Sequence, residues 1–294
     1  MNSSNSDLNS HSLHNSTISV DHDSLKREMN GKSVAWDCPI CSSRGTSAPF
    51  WKTPRFHRCR RCGLIFRYPF PTAAALSCLY TTSWLSPDEN KAETGATEVN
   101  SARSLVKFLT RSIGSTSLSG KRILDFGAGR GAITLALRQK GAQVVAVEPF
   151  GYECLAKLGV PTYRDLAELP REARFDGIVS LEVLEHLPEP RRTLLDLHRH
   201  LEPGGWLFVT TPNAAGIPAK LRGERWREAV RPGHVLFFTP LTLKSLLLET
   251  GFRRVERPRS PVRYTGRMQP RTLLNFMMQF VLVDGGLRVL AFKH

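Results

Sequence analysis

The chain has 294 residues, a formal net charge of +15, a pI of about 10 and 41% hydrophobic residues. That length accommodates one large domain plus a small accessory one, and the apolar share permits a packed core. No run reaches the ~18 apolar residues of a membrane span, and the N-terminus lacks the basic-then-apolar layout of a secretory signal, so a cytoplasmic protein is expected, with its six cysteines as thiols or metal ligands rather than disulfides.

Residues 1–34 are rich in Ser, Asn, His and Asp and show no sustained period, which predicts a disordered tail. The next segment, 35–71, carries Cys38-Pro39-Ile40-Cys41 and, 17 residues later, Cys59-Arg60-Arg61-Cys62. Two C-x-x-C knuckles at this spacing form a zinc-ribbon pattern. Four thiolates close a tetrahedral shell, so Cys38, Cys41, Cys59 and Cys62 are expected to hold a structural zinc. So short a segment buries too little core alone, and metal binding would supply folding free energy. Cys78 and Cys154 stand apart from any motif. Residues 72–118 read as a helical linker or cap, and the main domain is assigned to 119–294.

That domain alternates strand and helix. Strands are expected near 122–126, 143–148, 160–163, 176–181, 205–210, 252–257 and 287–292, which implies a mostly parallel sheet with right-handed crossovers. The first strand runs into Arg122-Ile123-Leu124-Asp125-Phe126-Gly127-Ala128-Gly129-Arg130-Gly131 and then an apolar helix start. Glycines allow a sharp turn and a close ligand approach, and the helix N-terminus behind them offers free N–H groups. Gly127, Gly129 and Ala132 also satisfy a loose dinucleotide pattern. A carboxylate at Asp125 would repel a pyrophosphate, however, and would attract the sulfonium and ammonium of S-adenosylmethionine. Asp125 therefore favours that cofactor over NAD. Glu148, ending the second strand, fits the ribose of either.

Further motifs follow in order: Phe175-Asp176-Gly177-Ile178-Val179-Ser180-Leu181-Glu182-Val183-Leu184-Glu185-His186, then Leu201-Glu202-Pro203-Gly204-Gly205-Trp206-Leu207-Phe208-Val209-Thr210. With the glycine turn and Val145-Ala146-Val147-Glu148-Pro149, this series resembles a class I S-adenosylmethionine-dependent methyltransferase over roughly 120–257. The knuckles before it resemble the layout of bacterial methyltransferases of small-molecule and sugar pathways, and the Glu182–His186 stretch resembles O-methyltransferases of the ubiquinone pathway. The resemblance implies an α/β fold: a seven-stranded, mostly parallel, doubly wound Rossmann-like sheet with a small N-terminal zinc ribbon, its last strand antiparallel. It further implies that Asp125, Gly127, Ala128 and Gly129 line the methionine part, that Glu148 takes the ribose hydroxyls, that Asp165 lies by the adenine amine, and that Leu181 and Glu182 flank the cofactor. A segment such as 72–118 is implied to pack over the cofactor mouth.

The reacting group has two candidates. Glu182, Glu185 and His186 form E-x-x-E-H, a cluster implicated in divalent-metal binding in the O-methyltransferases it resembles. On a regular helix adjacent residues diverge, so these three meet one ion only at an irregular helix start. A cap and salt-bridge cluster is the plainer reading. His234 is the other candidate, as a general base or as a structural histidine, with Trp226, Phe237 and Phe238 as pocket wall or core. The expected function is methyl transfer to a small-molecule hydroxyl, on a metabolite or sugar. The alternatives are an RNA or protein methyltransferase and a non-catalytic zinc-dependent scaffold. The basic excess suits an anionic acceptor, but no base-stacking aromatic pattern points to nucleic acid and no N-P-P-Y-type amino-methylation motif is present.

Overall fold

The computed structural model describes residues 37–45, 47–84, 96–258 and 285–294. The expected N-terminal tail and most of the 259–286 connection, including its apolar stretch at 273–280, lie outside the described residues. Trp36–His294 cluster as one compact unit. No helix among the described residues is long and apolar enough to cross a membrane.

Two sheets make up this unit. The first begins with β1 (Ser47–Phe50), β2 (Thr53–Cys59) and β3 (Ile65–Arg67). Helices α1 (Ala73–Trp84) and α2 (Ala96–Ser112) follow. The main domain then runs β4 (Arg122–Phe126), α3 (Ala132–Gln139), β5 (Gln143–Val147), α4 (Tyr152–Lys157), β6 (Thr162–Tyr163), β7 (Phe175–Leu181), α5 (Pro190–Arg199) and β8 (Leu201–Pro212). It closes with α6 (Ile217–Arg222), α7 (Arg227–Val230), β9 (Leu236–Phe237), α8 (Pro240–Glu249), β10 (Arg254–Glu256) and β11 (Gly286–Phe292).

The larger sheet has seven strands in the order β10-β11-β8-β7-β4-β5-β6. Strands β8, β7, β4, β5 and β6 are parallel, and β11 is antiparallel to both β8 and β10. This is the expected mostly parallel, Rossmann-like sheet. Buried on both faces, its strands read as apolar runs. Strand β4 pairs with β5 on one side and β7 on the other, so the order reverses there and opens a crevice at the carboxyl ends. Strand β8 extends further than expected, back to Leu201, with a register irregularity opposite Phe175 and Gly177. Gly177 admits the Trp206 indole, which a Cβ would meet at 2.2 Å.

Helix α2 buries Ala102, Val106 and Leu109, a helical stripe, against Ile123, Leu137, Val144 and Phe208. Those residues thus cover a sheet face, whereas the resemblance implied a cap over the cofactor mouth.

The knuckle segment is not a separate bead on the chain. Its three strands continue into β9, giving a second sheet ordered β1-β2-β3-β9, with Ile65 opposite Phe237 and Phe66 opposite Leu236. Cys38, Ile40, Cys59, Leu64 and Phe66 share the principal core with Leu124, Ile178 and Leu243. Phe56 and Ile65 pack with Trp226 and Phe237 in a further cluster that Trp51 borders. Too small to bury its apolar residues alone, the segment buries them against the main domain.

Candidate active site

The glycine turn stands at the end of β4. Asp125 is 2% exposed and accepts from Thr134 Oγ1 of α3 at 2.5 Å. Burial pushes its carboxyl up to about 7; the Thr134 bond opposes the rise and the Glu148 charge adds to it. Gly127, Gly129 and Gly131 hold φ of 79°, 57° and 86°, conformations that disfavour a side chain. Gly127 is constrained twice, because a Cβ would meet Val183 Cγ2 at 2.3 Å. The segment after β7 therefore packs directly on the glycine turn. Ala128 lies against Ala146, Leu155 and Val160.

Glu148 is buried and accepts three backbone N–H groups: Gly129 at 2.8 Å, Phe150 at 2.9 Å and Gly151 at 3.1 Å. Its carboxylate ties the glycine turn to the start of α4. Gly151 and Thr134 were missed in the sequence reading. A Cβ on Gly151 would meet Gly129 O at 2.2 Å, so only glycine permits this backbone approach. Its position next to the acid, in Glu148-Pro149-Phe150-Gly151, was the available signal. Asp165 is exposed and caps a 3-10 turn at Leu166–Glu168 by accepting from Ala167 N at 2.8 Å.

Beyond Leu181, Glu182 takes φ of 55°, a left-handed conformation uncommon for a side-chain-bearing residue. It accepts from Thr210 Oγ1 at 2.9 Å. A 3-10 turn follows at Leu184–His186, so the regular helix that would separate Glu185 from His186 is absent here. Glu185 is 0% exposed; one oxygen accepts from Thr211 Oγ1 at 2.9 Å, while Oε1 is buried without a hydrogen-bond partner. Burial holds Glu185 well above the usual carboxylate range, and the Glu182 charge adds to this. Burial likewise raises Glu182, opposed by the Thr210 bond and reinforced by Glu228.

His234 is buried and meets the His186 ring edge-on, with centroids 4.7 Å apart. Burial, followed by the charges of His186, Arg231, Arg67 and Arg227, holds His234 down to about 3. It is therefore a neutral imidazole, suited to metal ligation and weakly basic. His186 Nδ1 lies 2.9 Å from Gly233 O, the kind of outer hydrogen bond that orients a ligating histidine. Glu228, also missed in the sequence, is buried with Oε2 at 3.6 Å from His234 Nδ1.

Glu185, His186 and His234 each present a ligand atom, and these atoms lie within 4.8 Å of one another. The two separate expectations, an E-x-x-E-H metal cluster and a lone histidine, thus share one place. In that grouping His234 stands where Glu182 was expected, because the Glu182 side chain turns toward Thr210. Trp226, Phe237 and Phe238 are core, at 3%, 1% and 0% exposure.

The four knuckle cysteines also converge, their sulfurs within 4.8 Å of one another. Cys38 and Cys62 are 3.5 Å apart and Cys41 and Cys59 3.7 Å. Thiolates around one tetrahedral zinc stand roughly 3.8 Å apart, given Zn–S of about 2.3 Å. Backbone N–H groups of Ile40 and Cys41 face Cys38, and that of Leu64 faces Cys62. The bond between Cys38 and Cys62 pulls the Cys62 thiol down and pushes the Cys38 thiol up. The donor set and spacing fit zinc. Elsewhere, an open cleft of about 380 Å³ lies between Ile40 and α5. Its Arg191, Arg192 and Arg199 pair with Glu249, Glu189 and Asp196, which leaves little unbalanced charge for an anion.

A family described as "Methyltransferase domain" matches residues 100–257, more than half of the chain. The chain belongs to that family, and its sheet order and glycine turn are those of the class I S-adenosylmethionine-dependent methyltransferase fold. Among its relatives is the ubiquinone biosynthesis O-methyltransferase of Pseudomonas aeruginosa, 36% identical over 109 residues, 33% of this chain and 46% of the relative. That of Chromobacterium violaceum is 31% identical over 116 residues, 33% of this chain and 47% of the relative. The chain thus spans about half the length of the curated relatives it matches. Among solved structures, the [4+2]-cyclase SpnF aligns with a TM-score of 0.50 and 21% identity, over 76% of this chain and 98% of that one. At that identity the likeness speaks for the fold alone.

Proposed function

We propose that the chain transfers the methyl group of S-adenosylmethionine to a hydroxyl of a small molecule. The observation that carries this reading is the convergence of Glu185, His186 and His234 on a segment that packs, through Val183, on the glycine turn. Methyl transfer is an in-line displacement at an already activated carbon, so the protein's main task is to align the acceptor. A hydroxyl must also lose its proton, and this cluster stands where that can happen.

In this reading Asp125, which meets no cation among the described residues, receives the charged methionine end, and Gly127, Ala128 and Gly129 allow its close approach. Glu148 has taken three donors of its roughly four acceptor sites, which leaves room for one ribose hydroxyl. Asp165 and Leu181 stand at the carboxyl ends of β6 and β7, where adenine and the sulfonium would lie, with Glu182 beside them. Cys38, Cys41, Cys59 and Cys62 would hold a structural zinc. Glu185, His186 and His234 would hold a divalent ion, which when bound supplies Lewis acidity to an acceptor hydroxyl. His234 as a direct base is the second reading. Its place among the other two donors favours the first.

The test uses S-adenosylmethionine labelled in its methyl group, incubated with the protein and a size-fractionated cell extract. Label should enter the small-molecule fraction. Label in RNA or protein would point to the macromolecular alternatives, and none at all to a scaffold. With activity in hand, a chelator that leaves the cysteine-bound zinc in place should abolish turnover, Mg²⁺ or Mn²⁺ should restore it, and His186→Ala should cost about 10²-fold or more. A chelator-indifferent enzyme with an active His186→Ala variant but a dead His234→Ala variant would establish His234 as the base instead.

A further inference from the structure

The loop that carries His234 is held from the knuckle side of the molecule. Arg67, the last residue of β3, reaches across the small sheet with its guanidinium. Nε donates to His234 O at 3.1 Å, and Nη2 donates to Ala229 O at 2.9 Å and to Arg231 O at 2.8 Å. Its own backbone N–H donates to Val235 O at 2.9 Å, and Val235 N donates to Glu185 O at 2.9 Å. Loop 229–235 is therefore stitched on one side to β3 and on the other to the turn bearing Glu185 and His186. The guanidinium also sits 5.2 Å from the Phe56 ring centroid, which restrains it further.

We infer that Arg67 is a positioning residue: by clamping three carbonyls of loop 229–234 it fixes His234 against His186 and Glu185, making the knuckle segment one wall of the acceptor site. The inference rests on the reading of that cluster as the reacting centre. The planar fork reaches these three carbonyls from two nitrogens in a fixed arrangement; a lysine ammonium also has three donors, but all on one atom at the end of a flexible stem, and does not reproduce that spacing. The clamp therefore acts by shape as well as charge, which a merely stabilising cation would not require.

Arg67→Met and Arg67→Lys in the full chain test this, read by amide hydrogen exchange and by calorimetry with S-adenosylhomocysteine. In Arg67→Met, exchange over 227–236 should rise at least tenfold, while β4, β5 and β7 keep their protection and cofactor affinity stays within about twofold. Arg67→Lys should fall between the two proteins. Turnover should drop through kcat, with the cofactor KM unchanged. Unaltered exchange over 227–236 in either folded variant overturns the inference, as does a rise shared by the whole sheet. If Arg67→Met does not fold, Arg67→Lys decides by the same criterion. Should His234→Ala prove fully active, the reading of the cluster falls, while the exchange result still stands or fails by itself.

Discussion

Asp125 shows what one side chain sets in this protein. It is a buried carboxyl whose partners are a hydroxyl and a neighbouring acid, and burial raises it from the ordinary 3.8 to about 7. The folded state then binds more protons than the unfolded one between those values. Its contribution to stability is fully present below 3.8 and is lost as pH rises through about 7. Cofactor binding has the opposite sign, because a cationic ligand favours the ionised acid. Affinity for S-adenosylmethionine should therefore increase from about pH 6 to pH 8, with proton release near neutrality. Asp125→Asn should flatten that profile and weaken binding at pH 8 by roughly 1–3 kcal/mol. Calorimetry in buffers of differing ionisation enthalpy measures both, and a profile shared by the two proteins would remove Asp125 from the cofactor's charge recognition. The Asp125–glycine pattern was visible in the sequence because it is contiguous. The Thr134 bond that caps it was not, since side-chain direction at a helix start depends on the turn before it.

At the scale of elements, β7 and β8 carry the centre of the molecule. They pair in parallel from Gly177–Trp206 to Leu181–Thr210, and their carboxyl ends present Glu182 and Thr210 to the site. The opposite end depends on Gly177, over which the Trp206 ring lies. Gly177→Ala should force the indole aside and cost about 1–3 kcal/mol, lowering the melting temperature by several degrees. The clash lies at the amino end of β7, away from the glycine turn, so S-adenosylhomocysteine affinity should change less than twofold. An unchanged melting temperature would mean that the indole relocates freely. The strand itself was legible from its apolar run, and its neighbour followed from the alternation of strand and helix. The irregular start of β8 was not legible, because Pro203-Gly204-Gly205 reads equally well as a loop and only the pairing of Leu201 with Phe175 carries the strand back beyond it.

For the whole molecule, the consequential feature is that the knuckles belong to the main core. Cys59 is 1% exposed and shares that core with Leu243 and Leu247 of α8. If the four cysteines hold the proposed zinc, its loss should therefore reach well past the N-terminal segment. Cys59→Ser should lower the zinc content, which elemental analysis reads, and should raise exchange over 227–236 through β3 and β9. Peptides from α2, whose Ala102, Val106 and Leu109 lie in a separate cluster, should be least affected. Normal protection at 227–236 in a zinc-free protein would show that the small sheet holds without its metal.

Sequence by itself determined what local spacing encodes. The glycine turn, the paired knuckles and the strand–helix alternation each lie within a few dozen residues, and each has a short-range physical cause: backbone freedom at glycine, thiolate spacing, hydrophobic period. Tertiary structure decided what depends on distant segments meeting. It brought His234 to Glu185 and His186, turned Glu182 to Thr210, and gave Glu148 three backbone donors. It also joined β3 to β9, which made Arg67 a neighbour of the His234 loop. None of these pairings has a sequence period. They follow from sheet order and from the packing of buried side chains, which are settled only when the whole core closes.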